Sequence, residues 1–408
     1  MKKSIAALAA ATLLTGMLLL PAGASAESEA AEPLLDENGN QVEINVYNWG
    51  EYISTGEDGS LDVNAEFTRR TGIKVNYTTF ETNESLYAKL KSSGESYDVI
   101  IPSDYMIARM IEEDMLAPLD FSNIPNFDKI ADRFKEDCEY DPGNQYSVPY
   151  TYGQVGILYN DEMVTETVDS WDILWDEKYE GQILMFSNWR DAFGIAQKRL
   201  GYSFNSTNMD EWNAAADSLR EQKPLVQAYV MDQIFDKMGG GEAALAPYYA
   251  GDALTIHSNN EHIQFAVPKE GTNLFVDAMC IPKNCNNKEA AEAYINFMCE
   301  TDVATDNIEY ISYASPQEEA AAAHAEYLRE EYGDWAVDII YPSTSGENDE
   351  VFLNLPEDVN TQVENIWIEI QGSGGGAIYI VLTVVILVVL AGGIVFFRVR
   401  KHMREKEL

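Results

Sequence analysis

The sequence predicts an α/β protein built as two lobes, with an apolar segment near its C-terminal end. Segments with apolar residues at every second position alternate with segments in which apolar residues recur three or four positions apart. Residues 98–102 form a short strand with an apolar centre, which is typical of a parallel strand buried on both faces. The body of the chain, residues 27–376, is long enough to favour two lobes over one domain.

The predicted elements follow each other in a regular order, first strand and helix in alternation and then a β-rich crossing into a second α/β region. The predicted strands are residues 43–47, 73–77, 98–102, 145–160, 183–186, 244–246, 265–268 and 273–282. The predicted helices are residues 61–67, 86–90 and 107–115, one after Asn188, one near Trp212, and residues 287–299.

Both ends of the chain carry membrane-related signals. Residues 1–26 have the basic start, apolar run and A-x-A site of a signal peptide, and residues 27–41 read as a flexible leader. A flexible tether at 366–376 precedes residues 377–397, which contain no charge and are long enough to span a bilayer core. The basic residues of 398–408 follow at once. We therefore expect a single-pass transmembrane helix in the cell membrane, with a cytoplasmic C-terminus and an extracytoplasmic body.

The charge and the cysteines exclude several classes of protein. The chain has 68 acidic and 27 basic residues, so nucleic acid and anionic lipid are poor partners, whereas cationic solutes are attracted. Cys138, Cys280, Cys285 and Cys299 contain no C-x2-C pair, which argues against a zinc site. A disulfide and buried thiols both remain open. We predict no metal site and no cofactor.

Catalytic motifs are missing from the sequence. The four histidines form no H-E-x-x-H pair, and there is neither a G-x-S-x-G turn nor a phosphate-binding loop with Lys followed by Ser or Thr. We therefore predict a binding protein rather than an enzyme.

Two features point to a site for an organic cation. Trp49, Glu51 and Tyr52 follow the first strand, where ligands bind in open α/β sheets, and they would offer aromatic faces and a carboxylate. The alternative is that Trp49 and Tyr52 are core aromatics. Asp277 lies inside the apolar run 274–281, where a buried carboxylate needs a partner. That partner is either a structural Arg or Lys, or the ammonium group of a ligand.

Six motifs in order carry a family resemblance. They are residues 48–52, 71–75, 97–105, 268–271, 276–279 and 311–313. Together they resemble the spermidine/putrescine-binding proteins of polyamine ABC importers, over residues 42–365. The resemblance implies a two-lobed, type II periplasmic-binding-protein fold with a central cleft. Lobe 1 would comprise 42–151 and 276–321, and lobe 2 would comprise 152–275 and 322–365.

The resemblance also implies a function and a set of ligand-binding residues. The protein would be the membrane-anchored, extracytoplasmic subunit that delivers a polyamine to an ABC permease and its ATPase. An alternative is a protein of the same fold for a sugar or another organic cation. Asn188, Asp191, Tyr249 and Phe275 depart from the usual family residues, which leaves the choice among polyamines open. The expected ligand-binding residues are Trp49, Glu51, Tyr52, Ser103, Tyr105, Asn188, Asp191, Tyr249, Asp252, Phe275, Asp277 and Tyr313.

Overall fold

The computed structural model describes residues 30–92, 94–136, 138–343 and 346–372. In these residues strands and helices alternate, as the sequence predicts. The strands are β1 (Glu43–Trp49), β2 (Lys74–Phe80), β3 (Val99–Ile100), β4 (Ser147–Asn160), β5 (Ile183–Phe186), β6 (Val226–Val230), β7 (Leu245–Tyr249), β8 (Ile263–Ala266), β9 (Asn273–Cys280) and β10 (Glu350–Val351). The helices are α1 (Val63–Thr71), α2 (Asn83–Ser92), α3 (Asp104–Glu112), α4 (Arg133–Glu136), α5 (Trp189–Arg199), α6 (Met209–Gln222), α7 (Gln233–Gly239), α8 (Ala250–Asn259), α9 (Lys288–Met298), α10 (Thr301–Ile311), α11 (Glu318–Glu331), α12 (Asp334–Ile340) and α13 (Glu357–Gly372).

Local signals in the sequence set the boundaries of the elements. For example, the side chain of Asp62 accepts a hydrogen bond from the amide of Ala65 at 2.9 Å and so caps the start of α1. Gly72 ends the same helix with a φ of 73°, a conformation that glycine adopts without steric cost. β2 therefore begins only two residues later.

The strands form two sheets that share β4. Their order is β2-β1-β3-β9-β4-β7-β5-β6, with β10 beside β9 and β8 beside β4. The first half of β4 pairs with β9 from Ser147 to Gln154, and its second half pairs with β7 and β8. β1 is parallel to β2 and β3, and β5 is parallel to β6 and β7. Because β4 runs through both sheets and β9 lies beside its first half, these strands join two lobes.

Each lobe has its own hydrophobic core. In the first lobe, Phe67 of α1 packs edge-on against Tyr294 of α9 at 5.1 Å between ring centroids, and both side chains are buried. In the second lobe, Phe193 of α5 packs against Trp212 of α6 at 5.6 Å, and α13 covers the same core through Trp367. Burial of such large rings is the main stabilising contribution to each lobe.

The C-terminal part of the described chain crosses between the lobes again. Tyr152 of β4 bridges to Ala314, which follows α10. The segment around β10 then pairs with β9, and α13 packs on the second lobe. The side chain of Asn354 donates a hydrogen bond to Glu112 of the first lobe at 2.8 Å. Several chain segments therefore connect the two lobes.

Residues at the start of the described chain contact the first lobe. The sequence predicts a flexible leader for residues 27–41, and residues 30–41 fall within the described range. The amide of Ala31 donates to the carbonyl of Arg69 at 2.7 Å, and the amide of Leu34 donates to the carbonyl of Gly72 at 3.1 Å. A side chain at Gly72 would collide with the backbone of Glu32, so the glycine also makes room for this segment.

The prediction of a membrane-spanning segment is corrected. Within the described ranges, none of the helices has the length and apolarity that a bilayer crossing requires. The longest of them, α13, has 16 residues and carries several charges, whereas a span needs about 20 apolar residues. The predicted transmembrane helix at 377–397 lies outside the described residues, as do the signal peptide at 1–26 and the tail at 398–408. We therefore withdraw the transmembrane helix from the fold class, and with it the single-pass localisation in the cell membrane.

The cysteines are thiols. Cys138, Cys280, Cys285 and Cys299 are all unpaired in the structure, and only Cys285 is partly exposed. Burial raises the pKa of the Cys138 thiol to about 11 and that of Cys299 to about 12. These side chains therefore behave as small apolar groups at neutral pH.

Candidate functional site

A cavity lies between the two lobes, beside the strands that join them. Six carboxylic acids and nine aromatic residues line the cavity, and no Lys, Arg or His is among the described residues that do so. The lining residues are Trp49, Gly50, Tyr52, Asn83, Glu84, Ser103, Asp104, Tyr105, Asn188, Asp191, Met231, Asp232, Phe235, Tyr248, Tyr249, Asp252, Asn273, Phe275, Asp277, Tyr313 and Phe352.

Asp277, on β9, is one of the residues that line the cavity. Its carboxylate accepts a hydrogen bond from the hydroxyl of Tyr52 at 2.7 Å, and that hydroxyl also contacts Thr151 of β4. The second oxygen, Oδ1, is buried and makes no hydrogen bond of regular geometry among the described residues, although Ser103 lies close enough to lower the pKa of this carboxyl. Asp277 is 4% exposed, and no Lys, Arg or His of the described chain is among the groups that influence its pKa. The structural Arg or Lys that the sequence left open as its partner is therefore not found among those residues.

The start of α5 holds a second carboxylate. Asn188 caps this helix by accepting from the amide of Asp191 at 2.9 Å. Its amide group donates back to Asp191 Oδ2 at 2.7 Å, and the hydroxyl of Tyr249 donates to the same oxygen at 2.9 Å. Two side-chain donors thus fix the orientation of the Asp191 carboxylate toward the cavity.

A third carboxylate, Asp252, lies in the first turn of α8. It accepts a hydrogen bond at 2.8 Å from Tyr313, which follows α10. Gly251 allows this contact, because a Cβ at that position would overlap the ring of Tyr313. The glycine therefore brings α8 of one lobe close to an aromatic residue of the other.

Two further acidic groups, Glu84 and Asp104, belong to the first lobe. Glu84 accepts a hydrogen bond from the hydroxyl of Tyr105 at 3.0 Å. Beside it, Asn83 and Ser103 bond to each other through two hydrogen bonds at 3.0 and 3.1 Å. Asp104 accepts from the amide of Val276 on β9 at 3.1 Å, so it ties α3 to the strands between the lobes.

The aromatic residues form a continuous wall between these carboxylates. Ring centroids are separated by 5.4 Å between Tyr249 and Phe275, by 6.4 Å between Phe275 and Tyr313, and by 4.6 Å between Tyr313 and Tyr52. Such rings accept methylene groups, and their faces attract a cation. The wall therefore suits an aliphatic ligand that carries positive charge.

Burial shifts the acidity of the cavity. It raises the pKa of Asp252 to about 8, that of Asp104 to about 8, that of Glu84 to about 7 and that of Asp277 to about 6. The carboxylates also repel one another, and Asp191 adds to the increase for Asp277. The pKa of Asp191 itself is raised by burial and held back by its bonds from Asn188 and Tyr249. An incoming cation would favour the ionised form of each group.

One cation lies behind the cavity wall. Arg190 is 1% exposed and donates to the backbone carbonyls of Phe204 and Leu353 at 3.0 and 3.1 Å. Its guanidinium group stacks on Phe352 at 4.4 Å, and burial lowers its pKa to about 10. Arg190 is not one of the lining residues, so it supports the wall without occupying the ligand's space.

The structure brings eleven of the twelve expected ligand-binding residues together around the cavity. Glu51 is the exception. Its side chain is exposed, and its backbone adopts a left-handed conformation with a φ of 48°. Its charge nevertheless reaches the cavity mouth, because it contributes to the raised pKa values of Asp232 and Asp252. Whether the eleven residues bind a ligand stays a prediction.

Sequence reasoning did not single out several polar lining residues, namely Asn83, Glu84, Asp104, Asp232 and Asn273. Asp104 stands between the predicted Ser103 and Tyr105, at the same strand end. Glu84 stands just before the predicted helix 86–90. Asp232 follows β6, a strand that the sequence analysis did not predict. Because ligands of open α/β sheets bind past the carboxyl ends of strands, Asp232 would have been a candidate if β6 had been recognised. Among the described residues, no group of His, Cys, Asp and Glu is arranged to hold a metal ion.

A cavity lined by acidic and aromatic side chains, between two lobes that share crossing strands, is typical of a solute-binding protein of the two-lobed α/β class. The chain belongs to the family of bacterial extracellular solute-binding proteins, whose sequence model matches residues 63–331. The resemblance predicted from the six motifs is thereby confirmed. Members of this family are named for binding solutes rather than for catalysis.

Individual relatives agree with this assignment. The spermidine/putrescine-binding periplasmic protein of Escherichia coli (strain K12) is 36% identical over 300 residues, which is 73% of this chain and 83% of the relative. Spermidine/putrescine-binding periplasmic protein 1 of Haemophilus influenzae is 32% identical over 84% of this chain and 91% of its own length. Both names place those proteins in the periplasm, which differs from the membrane localisation expected from the sequence.

A solved structure shows the same fold. It is the spermidine/putrescine ABC transporter substrate-binding protein from Streptococcus pneumoniae, in complex with calcium and HEPES. It is 34% identical to this chain, with a TM-score of 0.66, and the match covers 81% of this chain and 99% of that one.

Proposed function

We propose that this protein is the substrate-binding subunit of a polyamine ABC importer and that it captures a linear polyamine in the cavity between its lobes. The names of its relatives, spermidine/putrescine-binding proteins, support this ligand class. The chemistry of the cavity supports it independently, because acidic and aromatic groups are combined there without a cationic side chain among the described residues that line it.

The observation that carries the proposal is the buried, unpartnered oxygen of Asp277. A buried carboxylate oxygen without a hydrogen-bond partner is destabilising, by roughly 1 to 3 kcal/mol. An ammonium group at this oxygen would supply both the hydrogen bond and the opposite charge. An anionic or neutral ligand would leave the charge of Asp277 uncompensated.

The remaining residues then have complementary roles. Asp191 and Asp252 would bind further ammonium groups, since each already accepts a tyrosine hydroxyl that holds it in place. The wall of Tyr249, Phe275 and Tyr313 would cover the methylene groups between the charges. Ammonium groups are strongly hydrated, so several carboxylates are needed to offset their loss of water.

Delivery to a permease would depend on movement of the lobes. β4 and β9 run between them, and closure around a ligand by bending of such connections is the usual behaviour of two-lobed binding proteins. In this proposal, the closed and liganded form is recognised by the membrane subunits of the importer, and an ATPase drives release.

The proposal is tested by titrating the purified protein with spermidine, putrescine, a sugar and an amino acid in a calorimeter. We expect one polyamine to bind per protein and the sugar and amino acid to produce no binding heat. A thermal melt of the same samples should show stabilisation by the polyamines alone. Binding of the sugar or the amino acid without binding of either polyamine would overturn the proposal.

A further inference from the structure

A second space lies behind the cavity, on the opposite face of β4 and β9. Side chains of a strand point alternately to its two faces, so neighbouring residues of β9 line different spaces. Asn273 and Asp277 line the cavity, Leu274 and Val276 line the space behind it, and Phe275 contributes to both. We call this space the rear groove, and its lining includes residues 131–134, 152–154, 274–276, 315–318 and 340–343.

The strand β4 is fastened to a different lobe on each side of Gly153. The hydroxyl of Tyr152 accepts a hydrogen bond from Arg133 Nη2 at 2.7 Å, and Arg133 begins α4, which packs on the core of the first lobe. Gln154 Nε2 donates to the carbonyl of Ile339 at 2.9 Å, and Ile339 belongs to α12, which is buried against α8 of the second lobe. Both bonds lie on the rear face of the strand.

Gly153 stands between these two anchored residues. It is paired with Phe275 of β9, and a Cβ at position 153 would lie 2.7 Å from the ring of Phe275. The glycine thus leaves room for a ring that lines the cavity. Because glycine also tolerates the widest range of backbone angles, it is the point at which β4 can change direction most easily. A few such residues absorb the backbone rotation when two lobes move.

The side walls of the rear groove come from the two lobes. Phe134 of α4 lies on one side of Tyr152, at 4.8 Å between ring centroids, and Tyr341, which follows α12, lies 6.4 Å from the same ring. Asp132 near the first ring and Ser343 near the second are exposed. The groove is therefore open to solvent between its walls.

Closing the cavity and opening the rear groove are one motion if the lobes turn about the strands that separate the two spaces. In this structure the front is closed, since Asp191, Asp252 and Asp277 of the cavity are at most 8% exposed. The rear is open, because both of its walls reach solvent. When the lobes separate at the cavity, the walls of the rear groove must approach each other.

We propose that the lobes turn about β4 and β9 near Gly153 and that the rear groove limits how far they open. Bulk placed in the groove then shifts the empty protein toward the closed form and tightens binding. This inference rests on the lobe closure of the proposed function. The effect acts on the equilibrium between open and closed protein rather than on ligand contacts, so it multiplies the affinity for every ligand by the same factor.

The experiment places a tryptophan on each wall of the rear groove, as Asp132→Trp on the first lobe and Ser343→Trp on the second. Calorimetry should show that each variant binds spermidine and putrescine about fivefold more tightly. This gain corresponds to a closed fraction of the empty protein that rises from roughly 10% to roughly 50%. Asp128→Trp is the matched control, because Asp128 is exposed, lies outside the groove and undergoes the same change of charge and size. It should change neither affinity.

Small-angle X-ray scattering without ligand gives an independent measurement. The radius of gyration of the empty protein should be smaller in both groove variants than in the unmodified protein and in Asp128→Trp. After saturation with ligand, all four proteins should have the same radius. This measurement requires no affinity in the empty state, so it tests the inference even if neither amine binds and the proposed ligand class fails. Melting curves confirm that each variant is folded.

Three results would overturn the inference. Unchanged affinities and an unchanged radius in both groove variants would show that the groove does not narrow on opening, as expected if the lobes turn about a point behind it. A gain for one amine without an equal gain for the other would show an effect on ligand contacts instead. A loss of affinity in both variants would show that the closed form cannot accommodate bulk in the groove.

Discussion

Replacing Asp277 with Asn tests whether this buried carboxylate serves a ligand or the fold. The substitution keeps the shape of the side chain and removes its charge. If an ammonium group binds there, the loss of one desolvated charge pair costs about 2 to 5 kcal/mol, which is roughly a 30-fold or greater loss of affinity. The hydroxyl of Tyr52, now 2.7 Å from the carboxylate, can still donate to the carboxamide oxygen. The variant is therefore expected to fold.

The same substitution should lower the affinity for a polyamine without lowering the stability of the ligand-free protein. Burial raises the pKa of Asp277 from 3.8 to about 6, which corresponds to roughly 3 kcal/mol of destabilisation once the group is ionised. The folded state binds the proton more tightly than the unfolded state, so this destabilisation grows as the pH rises from about 4 to about 6 and is complete above that. At pH 8, Asp277→Asn should melt at the same temperature as the unmodified protein or higher.

Both quantities are measured on one preparation, affinity by calorimetry and melting temperature without ligand. Asp141→Asn is the matched control, because Asp141 is 1% exposed, lies outside the cavity and accepts bonds from two backbone amides and the hydroxyl of Ser147. It should melt at a lower temperature and keep its affinity per folded molecule. If Asp277→Asn instead behaves like this control, the reasoning about the cavity is refuted.

Two further predictions follow from the cavity's acidity and packing. Because burial raises the pKa values of Asp252 and Glu84 to about 8 and about 7, polyamine binding should release protons and strengthen as the pH rises from 6 to 8. Calorimetry in two buffers of different ionisation enthalpy measures this release, and equal affinity across that range would contradict it. Gly251→Ala places a Cβ in the ring of Tyr313, so the overlap, worth about 1 to 3 kcal/mol, should outweigh the usual gain of about 1 kcal/mol from alanine in a helix. Melting temperature and polyamine affinity should both fall, whereas Gly239→Ala, with no atom near its Cβ, should lose neither.

The sequence predicted most of the elements because their patterns are strong. Residues 183–186 were predicted as a strand and form β5, and the predicted stretch 145–160 contains β4. β6 was missed because it lies at the end of the sheet and four of its five residues are at least partly exposed, so it shows neither an apolar run nor a clear alternation. The omission of Asp232 follows directly from this, since the residue becomes visible as a candidate only when a strand is seen to end before it.

The candidate site was harder to predict than the elements, because it is assembled from residues of both lobes that are far apart in the sequence. Trp49 and Tyr52 lie on the same short segment as Glu51, yet Glu51 alone turns outward, with a left-handed backbone that the sequence did not reveal. Glu84 stands just before the predicted helix 86–90 without any signal of a binding role, and it lines the cavity beside Tyr105, whose hydroxyl donates to it. Contacts between distant segments, rather than local patterns, select these residues.

The same burial that raises the pKa values explains how ligand charge could control closure. With the lobes apart, water would solvate the carboxylates of Asp252, Asp277 and Asp191, and their pKa values would be ordinary. Closing without a ligand removes that water, so each group must either take up a proton or remain ionised at a cost of about 1.4 kcal/mol for every pKa unit. A polyamine reverses the sign of this effect, because its ammonium groups attract the same carboxylates more strongly once water is excluded. On the proposed function, closure is therefore unfavourable for the empty protein near neutral pH and favourable for the liganded one. A neutral solute as long as a polyamine could fill the cavity but could not remove this electrostatic penalty. The cavity would therefore select for positive charge independently of the shape of the ligand.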